Sequence, residues 1–333
     1  MCGSRPKAAD PRPAGWLPAR AMGTGPRTVC VTGGLGFIGV PLCLALADLR
    51  YRVVCVDRLT GRYAPGRGPA AAGELARRGV AVVQADIAGV ALESLLENVD
   101  AVVHLAALPG VRTRHGLAEL WDENTATTAR LVEATARVRR RLVFVSSSSV
   151  YGDVPHLPAT EDSPPCPLSP YAVTKLAAEG ACMTAARQGA DVVIVRPFTV
   201  FGPGQRPDMA FARWIGAITA RRPVVWCAHP HTRRELTYID DAVAGLIAAL
   251  EHGRAGQAYN IPGAGSFELQ HVLDQIEGLL DRDAAIHRRG PWPGEAVATA
   301  ASPHKAAREL RYQPAVALRD GLERQIAAAL PPD

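Results

Sequence analysis

Tyr171 and Lys175 stand four residues apart in Leu168-Ser169-Pro170-Tyr171-Ala172-Val173-Thr174-Lys175. Ser169 suits a helix N-cap and Pro170 the first helical position, so the spacing predicts a helix that carries both side chains on one face. A free phenol has a pKa of about 10 and is a poor base at neutral pH; an ammonium beside it favours the phenolate and lowers that value. Such a pair can do general acid/base work on a hydroxyl. Upstream, the alternating Leu142-Val143-Phe144-Val145 runs into four serines, Ser146 to Ser149. A turn there, just after a buried strand, can aim one hydroxyl at the oxygen that Tyr171 serves, which a flexible spacer could not do.

A Tyr-x-x-x-Lys spacing alone is common, and it gains meaning from a nucleotide site before it. Gly33, Gly36 and Gly39 in Val31-Thr32-Gly33-Gly34-Leu35-Gly36-Phe37-Ile38-Gly39 fall between an expected strand and an expected helix. Glycines there let the backbone approach a pyrophosphate seated on the helix N-terminus. The next strand ends at Asp57, where a carboxylate would bond a ribose 2′-hydroxyl and repel a 2′-phosphate, so NAD is expected over NADP. Arg58 is the residue that works against that preference. Asp86-Ile87 and Leu105-Ala106-Ala107 close two further strands along the same carboxyl edge, with Asp86 suited to the adenine. His104, also at a strand end, is read as packed and hydrogen-bonded in place.

The elements that must position these groups alternate short β-branched runs with longer helical stretches from Arg27 onward, which argues for a parallel sheet covered on both faces. Helices are expected near Glu123 to Arg137 and Pro170 to Gln188. After Pro197 the rhythm breaks, Pro and Gly become frequent, and a smaller, looser lobe is expected. The reading assigns 27–197 to a nucleotide-binding domain, returns 235–252 to it, and gives 198–234 and 253–330 to the second lobe.

The sequence has 333 residues with 48% hydrophobic and 21% charged, ordinary values for a globular chain. Its net charge of +5 is concentrated ahead of residue 28, where five basic residues face Asp10 alone. The remainder is nearly neutral and gives no case for nucleic-acid or membrane-surface binding. Residues 1–26, rich in Pro, Gly, Ala and Arg, are expected to be a disordered leader without a signal-peptide core. Seven scattered cysteines without a Cys-x-x-Cys pair suit reduced thiols in a cytoplasm, and no metal site is expected. His229-Pro230-His231 is read as a loop.

Together the glycine stretch, His104-Leu105-Ala106-Ala107, the serine run with Val150-Tyr151-Gly152, Tyr171 to Lys175 and the segment Thr199 to Ala210 resemble the extended short-chain dehydrogenase/reductase family of nucleotide-sugar epimerases and dehydratases. The likeness covers about Arg27 to Gln325. It implies a Rossmann-type doubly wound parallel sheet with a smaller α/β substrate-binding lobe, a retained NAD, a UDP-sugar substrate, and a homodimer formed through the helices at 123–137 and 170–188. In that family the tyrosine is the base, the lysine orients the nicotinamide ribose, and a Ser or Thr three residues before Val-Tyr-Gly, here Ser147, shares the sugar hydroxyl. The implied cofactor set is Gly33, Gly36, Phe37, Ile38, Gly39, Asp57, Arg58, Asp86, Ile87, Leu105, Ala106, Ala107, Asn124, Tyr171 and Lys175. The implied substrate set is Arg112, Ser147, Tyr171, Thr199, Arg206, Ala210 and Arg234, with Arg234 on the diphosphate.

The segment from Thr199 is most similar to UDP-glucuronate 4-epimerases. Arg206 within it offers a fork of donors that matches a carboxylate bidentately, which a C6 uronate would need and a neutral hexose would not. Dehydratases and decarboxylases of the family carry acids after the catalytic Ser or Thr; this chain has Ser148 and Ser149. The alternatives that stay open are a UDP-glucose or UDP-N-acetylglucosamine 4-epimerase, a UDP-glucuronate decarboxylase or another 4-keto-sugar-forming enzyme, and a non-catalytic NAD-sensing protein. The chain departs from the family pattern at Ala228-His229-Pro230, before Arg234, and has Glu295 and Ser302 where Asp is usual.

Overall fold

The computed structural model describes residues 27–59, 67–111 and 115–330; the leader and Arg112 lie outside the described residues. The chain opens as β1 (Thr28–Thr32), α1 (Gly39–Asp48), β2 (Arg52–Asp57), α2 (Arg67–Arg77), β3 (Ala81–Gln84), α3 (Leu92–Leu96) and β4 (Ala101–His104). It continues through α4 (Leu117–Trp121), a π-helical turn at Asp122–Ala126, α5 (Thr127–Arg137), β5 (Arg141–Val145), a 3₁₀ turn at Ser148–Tyr151, α6 (Pro170–Arg187) and β6 (Val192–Pro197). Then come β7 (Thr199–Phe201), α7 (Ala210–Thr219), β8 (Val224–Trp226), β9 (Arg233–Tyr238), α8 (Ile239–His252), β10 (Ala258–Ile261), β11 (Ser266–Glu268), α9 (Leu269–Leu280), β12 (Ile286–Arg288) and α10 (Leu318–Ala329).

Seven strands form one parallel sheet in the order β10-β6-β5-β4-β1-β2-β3. Its two faces follow directly from the period-2 geometry of a strand. Val29, Val31, Val53, Cys55, Val103, Val143 and Val195 point to one side, where they pack on Leu42 and Leu46 of α1 and on Leu246 and Leu250 of α8. Cys30, Val54, Val56, Val102, Leu142, Phe144 and Ile194 point to the other, onto Leu95, Leu131 and Cys182 of α3, α5 and α6. A strand buried on both faces has no polar alternation to show, which is why these runs read as continuous Val and Ile.

A second core is built where the sequence loses its rhythm. Phe211, Trp214 and Ile218 of α7, Trp226 of β8, Val272 and Ile276 of α9, and Leu322 and Ile326 of α10 share one cluster. They cover a three-stranded sheet ordered β11-β9-β7 and a β8-β12 pair. The assignment of all of 253–330 to the second lobe needs a correction: β10 adds to the edge of the large sheet, pairing Ala258 with Ile194 and Ile261 with Pro197. A four-residue strand placed between two lobe segments carries too little pattern to be read locally.

The order of the large sheet reverses between β1 and β4, and there the first connections diverge. Gly33 follows β1 with φ of +69°, and a Cβ on it would stand 2.7 Å from the Ala106 nitrogen after β4. A Cβ on Gly39 would collide with the Gly33 carbonyl. These two positions therefore require glycine, and the crevice they leave lies outside the carboxyl ends of the strands, where open α/β sheets bind ligands.

Candidate active site

A cavity of about 910 Å³ extends from this crevice, between the carboxyl edge of the large sheet and the second core. Gly33, Gly36, Phe37, Ile38, Gly39, Asp57, Arg58, Asp86, Ile87, Leu105, Ala106 and Ala107 line its first part. Ser147, Tyr171, Lys175, Thr199, Arg206, Ala210 and Arg234 line the remainder. All the expected residues within the described chain therefore meet at one site, except Asn124.

Asn124 differs for a physical reason. It is fully buried in the π-helical turn; its Oδ1 accepts from the Leu108 N–H at 2.7 Å, and its Nδ2 donates to the Leu108 carbonyl and Thr174 Oγ1, each at 3.1 Å. Its amide is committed to the loop after β4 and to α6, so it shapes the cavity without lining it.

Asp57 is fixed by its surroundings: Oδ2 accepts from the Leu35 N–H and Oδ1 from the Leu59 N–H, both at 3.1 Å. Asp86 Oδ1 accepts from the Ala88 N–H at 2.9 Å. His104 is buried between Thr32 Oγ1 at 2.6 Å and Thr128 Oγ1 at 3.0 Å. Burial, with the Lys175 charge adding to it, pulls its pKa down to about 3, so it is a neutral packing residue.

Local sequence sets up the reacting pair. Ser169 caps α6 by accepting from the Ala172 N–H at 3.2 Å, with Pro170 opening the helix, and Tyr171 and Lys175 project from its first turns into the cavity. Lys175 is buried, donates to the Val145 carbonyl at 2.8 Å, and lies 4.8 Å from the centre of the Phe144 ring. Desolvation brings its pKa down to about 8, against the opposing charges of Cys182 and Glu179. Burial pushes the Tyr171 phenol up, while a hydrogen bond with Ser147 and the Arg206 charge pull it back. The expectation that Lys175 sets the phenol's acidity is thus redistributed: Ser147 and Arg206 favour the phenolate here, and the ammonium is turned toward β5.

Ser147 has extended backbone, φ −163° and ψ 148°, and its Oγ accepts from the Ser149 N–H at 3.1 Å, so the serine run closes into a capped 3₁₀ turn. Beneath it lies a buried ion pair. Arg196 bonds Glu179 twice, at 2.9 and 2.6 Å, and donates to the Tyr151 hydroxyl at 2.7 Å, tying β6, α6 and the serine turn together.

Arg206 reaches over Gly110, where a Cβ would stand 3.3 Å from its Nη2. Its Nε and Nη2 each donate to Asp208 at 2.9 Å, and the pairing holds the Asp208 carboxyl below its ordinary value. Arg234 donates to the Arg233 and Val297 carbonyls and meets Glu295 at 3.4 Å, both of their side chains largely covered. The Ala228-His229-Pro230 segment forms the turn between β8 and β9, and no residue from 228 to 231 lines the cavity.

The cavity is also lined by residues that sequence reasoning did not place in the site, Glu123, Asp208 and Ser149 among them. Glu123 and Asp208 act through pairings with Arg58 and Arg206. Ser149, taken as informative only for the acid it is not, has a buried hydroxyl without a hydrogen-bond partner, as does Ser146 beside it. The signal for Asp208 was present, two residues from Arg206; Glu123 had none.

The glycine cradle, the fixed Asp57 and these unsatisfied hydroxyls fit a dinucleotide lying along the crevice with its reactive end at Tyr171. An Arabidopsis thaliana UDP-glucuronate 4-epimerase is 34% identical over 332 residues, spanning 92% of this chain and 76% of the relative. A Bacillus subtilis protein named as an uncharacterized UDP-glucose epimerase is 36% identical over 306 residues, 90% of this chain and 96% of the relative. The crystal structure of the Bacillus cereus UDP-glucuronic acid 4-epimerase in complex with UDP-glucuronic acid and NAD superposes with a TM-score of 0.86 at 36% identity, covering 91% of this chain and 98% of that one. Residues 29–262 match the NAD dependent epimerase/dehydratase family, and the chain belongs to it.

Proposed function

We propose that this protein is a nucleotide-sugar 4-epimerase that interconverts UDP-glucuronate and UDP-galacturonate through a transient 4-keto sugar. NAD, when bound, supplies the chemistry that accepts a hydride at C4 and returns it. Tyr171, as phenolate, takes the 4-hydroxyl proton and later gives it back. Ser147 bonds the same oxygen in both poses of the sugar, and Lys175 holds the cofactor ribose from the floor of the cavity. Arg234 takes the diphosphate, about which the keto sugar turns to present its other face. Arg206 bonds the C6 carboxylate through its guanidinium fork.

The observation that carries this reading is a guanidinium whose charge is felt by the catalytic phenol, in the cavity where Ser147 bonds that phenol. A neutral hexose would bring Arg206 no negative group beyond Asp208, with which its fork is already paired, whereas a uronate carboxylate would add one. The name of the Bacillus subtilis relative favours UDP-glucose as the second reading. Incubation with UDP-glucuronate and with UDP-glucose separately, followed by NMR of the products, tests the two. Conversion of UDP-glucuronate to UDP-galacturonate is expected; turnover of the neutral sugar alone would overturn the uronate assignment, and loss of CO₂ would make the protein a decarboxylase.

A homodimer assembled through the helices at 117–137 and α6 belongs to the same reading, supported by Leu117 at 56%, Trp121 at 44% and Val173 at 39% exposure on those helices. Among the described residues no helix is long and apolar enough to cross a membrane. Among the described residues the cysteines are free and all but Cys166 are buried, which supports a reducing cytoplasm.

A further inference from the structure

Arg58 ends its side chain on two carboxylates from different parts of the chain. Its Nη1 donates to Glu123 Oε1 at 2.7 Å and to Asp86 Oδ2 at 3.2 Å. Arg58, Glu123 and Asp86 all line the cavity at the end where Asp57 is fixed. Glu123 belongs to the π-helical turn, whose neighbouring Asn124 is locked inward by three hydrogen bonds. The turn therefore presents Glu123 from a rigid base.

A ribose 2′-phosphate brings about two negative charges. Beside Asp57 it is tolerated only if a cation turns toward it. Among the described lining residues the other Lys and Arg side chains, Lys175, Arg206 and Arg234, belong to the reacting and sugar end, so Arg58 is the cation placed for that task. It is engaged elsewhere. The Glu123 contact is the shorter of its two, and Asp86 divides itself between Arg58 and the Ala88 N–H.

We propose that Glu123 is a cofactor-selectivity residue: by holding the Arg58 guanidinium against Asp86 it withholds that cation from a 2′-phosphate and leaves Asp57 to admit NAD and reject NADP. The selectivity thus rests on an ion pair formed across the nucleotide crevice as well as on the acid that ends β2.

The full chain is loaded with NADH, whose fluorescence reports occupancy, and titrated with NAD⁺ and with NADP⁺. In Glu123→Gln the released guanidinium is expected to improve displacement by NADP⁺, relative to NAD⁺, by about tenfold. In Glu123→Gln/Arg58→Ala the gain disappears. An unchanged ratio in Glu123→Gln, or a gain that persists without Arg58, overturns the proposal. If Glu123→Gln fails to bind NADH, the single Arg58→Ala variant decides. A ratio within about twofold of wild type supports an Arg58 already withheld, whereas a larger fall in NADP⁺ affinity shows it available to phosphate and removes the proposal.

Discussion

Burial drives Tyr171 away from ionisation, and Ser147 and Arg206 draw it back. A phenol with a raised pKa must lose its proton before it can act as a base, so turnover rises with pH on the acidic side of the profile. Removing Ser147 removes a group that lowers that pKa. Ser147→Ala is therefore expected to cut kcat by about a hundredfold and to move the acidic limb to higher pH. A lower kcat with an unmoved limb would mean that Ser147 does not act on the phenol's proton. Tyr171→Phe is expected to lose about a thousandfold in kcat while NADH binding and the melting temperature stay at wild-type values. The Tyr171 and Lys175 pair was legible because cap, proline and spacing are all local. Glu123 was not, because it finds its meaning in Arg58, 65 positions away.

The π-helical turn at Asp122–Ala126 makes one continuous helical run of residues 117–137 and sends Asn124 inward and Glu123 toward the nucleotide crevice. A π-turn inside a helix is rare and tends to mark a functional position. Asn124→Ala would leave the Leu108 N–H and carbonyl without their partner in a buried place, at a cost of about 2 kcal/mol. The expected outcome is a lower urea midpoint together with weaker NADH binding, since the loop after β4 lines the cavity; an unchanged midpoint would contradict that role. The sequence reading placed a helix at 123–137 without seeing the turn, because the extra residue leaves the apolar spacing of Leu131, Val132 and Ala134 intact. The N-terminus of α6 was read to the residue because Ser169 and Pro170 announce it.

At the scale of the molecule, Leu117, Trp121 and Val173 leave apolar surface on neighbouring helices. Sedimentation velocity is expected to report a dimer for the wild type and a monomer for Trp121→Glu, whose charge would be buried without a partner in such a contact. A monomeric wild type would remove the homodimer reading. The parallel sheet was legible from the alternation of β-branched runs with helices. The second core was not legible, because its sheets join strands of three to six residues from distant segments, such as β7 with β9 and β8 with β12.

The chain leaves the large sheet after Pro197, returns at Ile239 for α8 and β10, and leaves again after Ile261. Ala306, Leu310 and Tyr312 then pack on the first core again before α10 joins the second, so roof and floor of the reaction chamber are stitched by five covalent passages, not joined by one linker. A body stitched in this way ties the two lobes at several points. In the proposed reaction it is the sugar that turns within the cavity, and the protein's task is to offer hydrogen bonds to both of its faces.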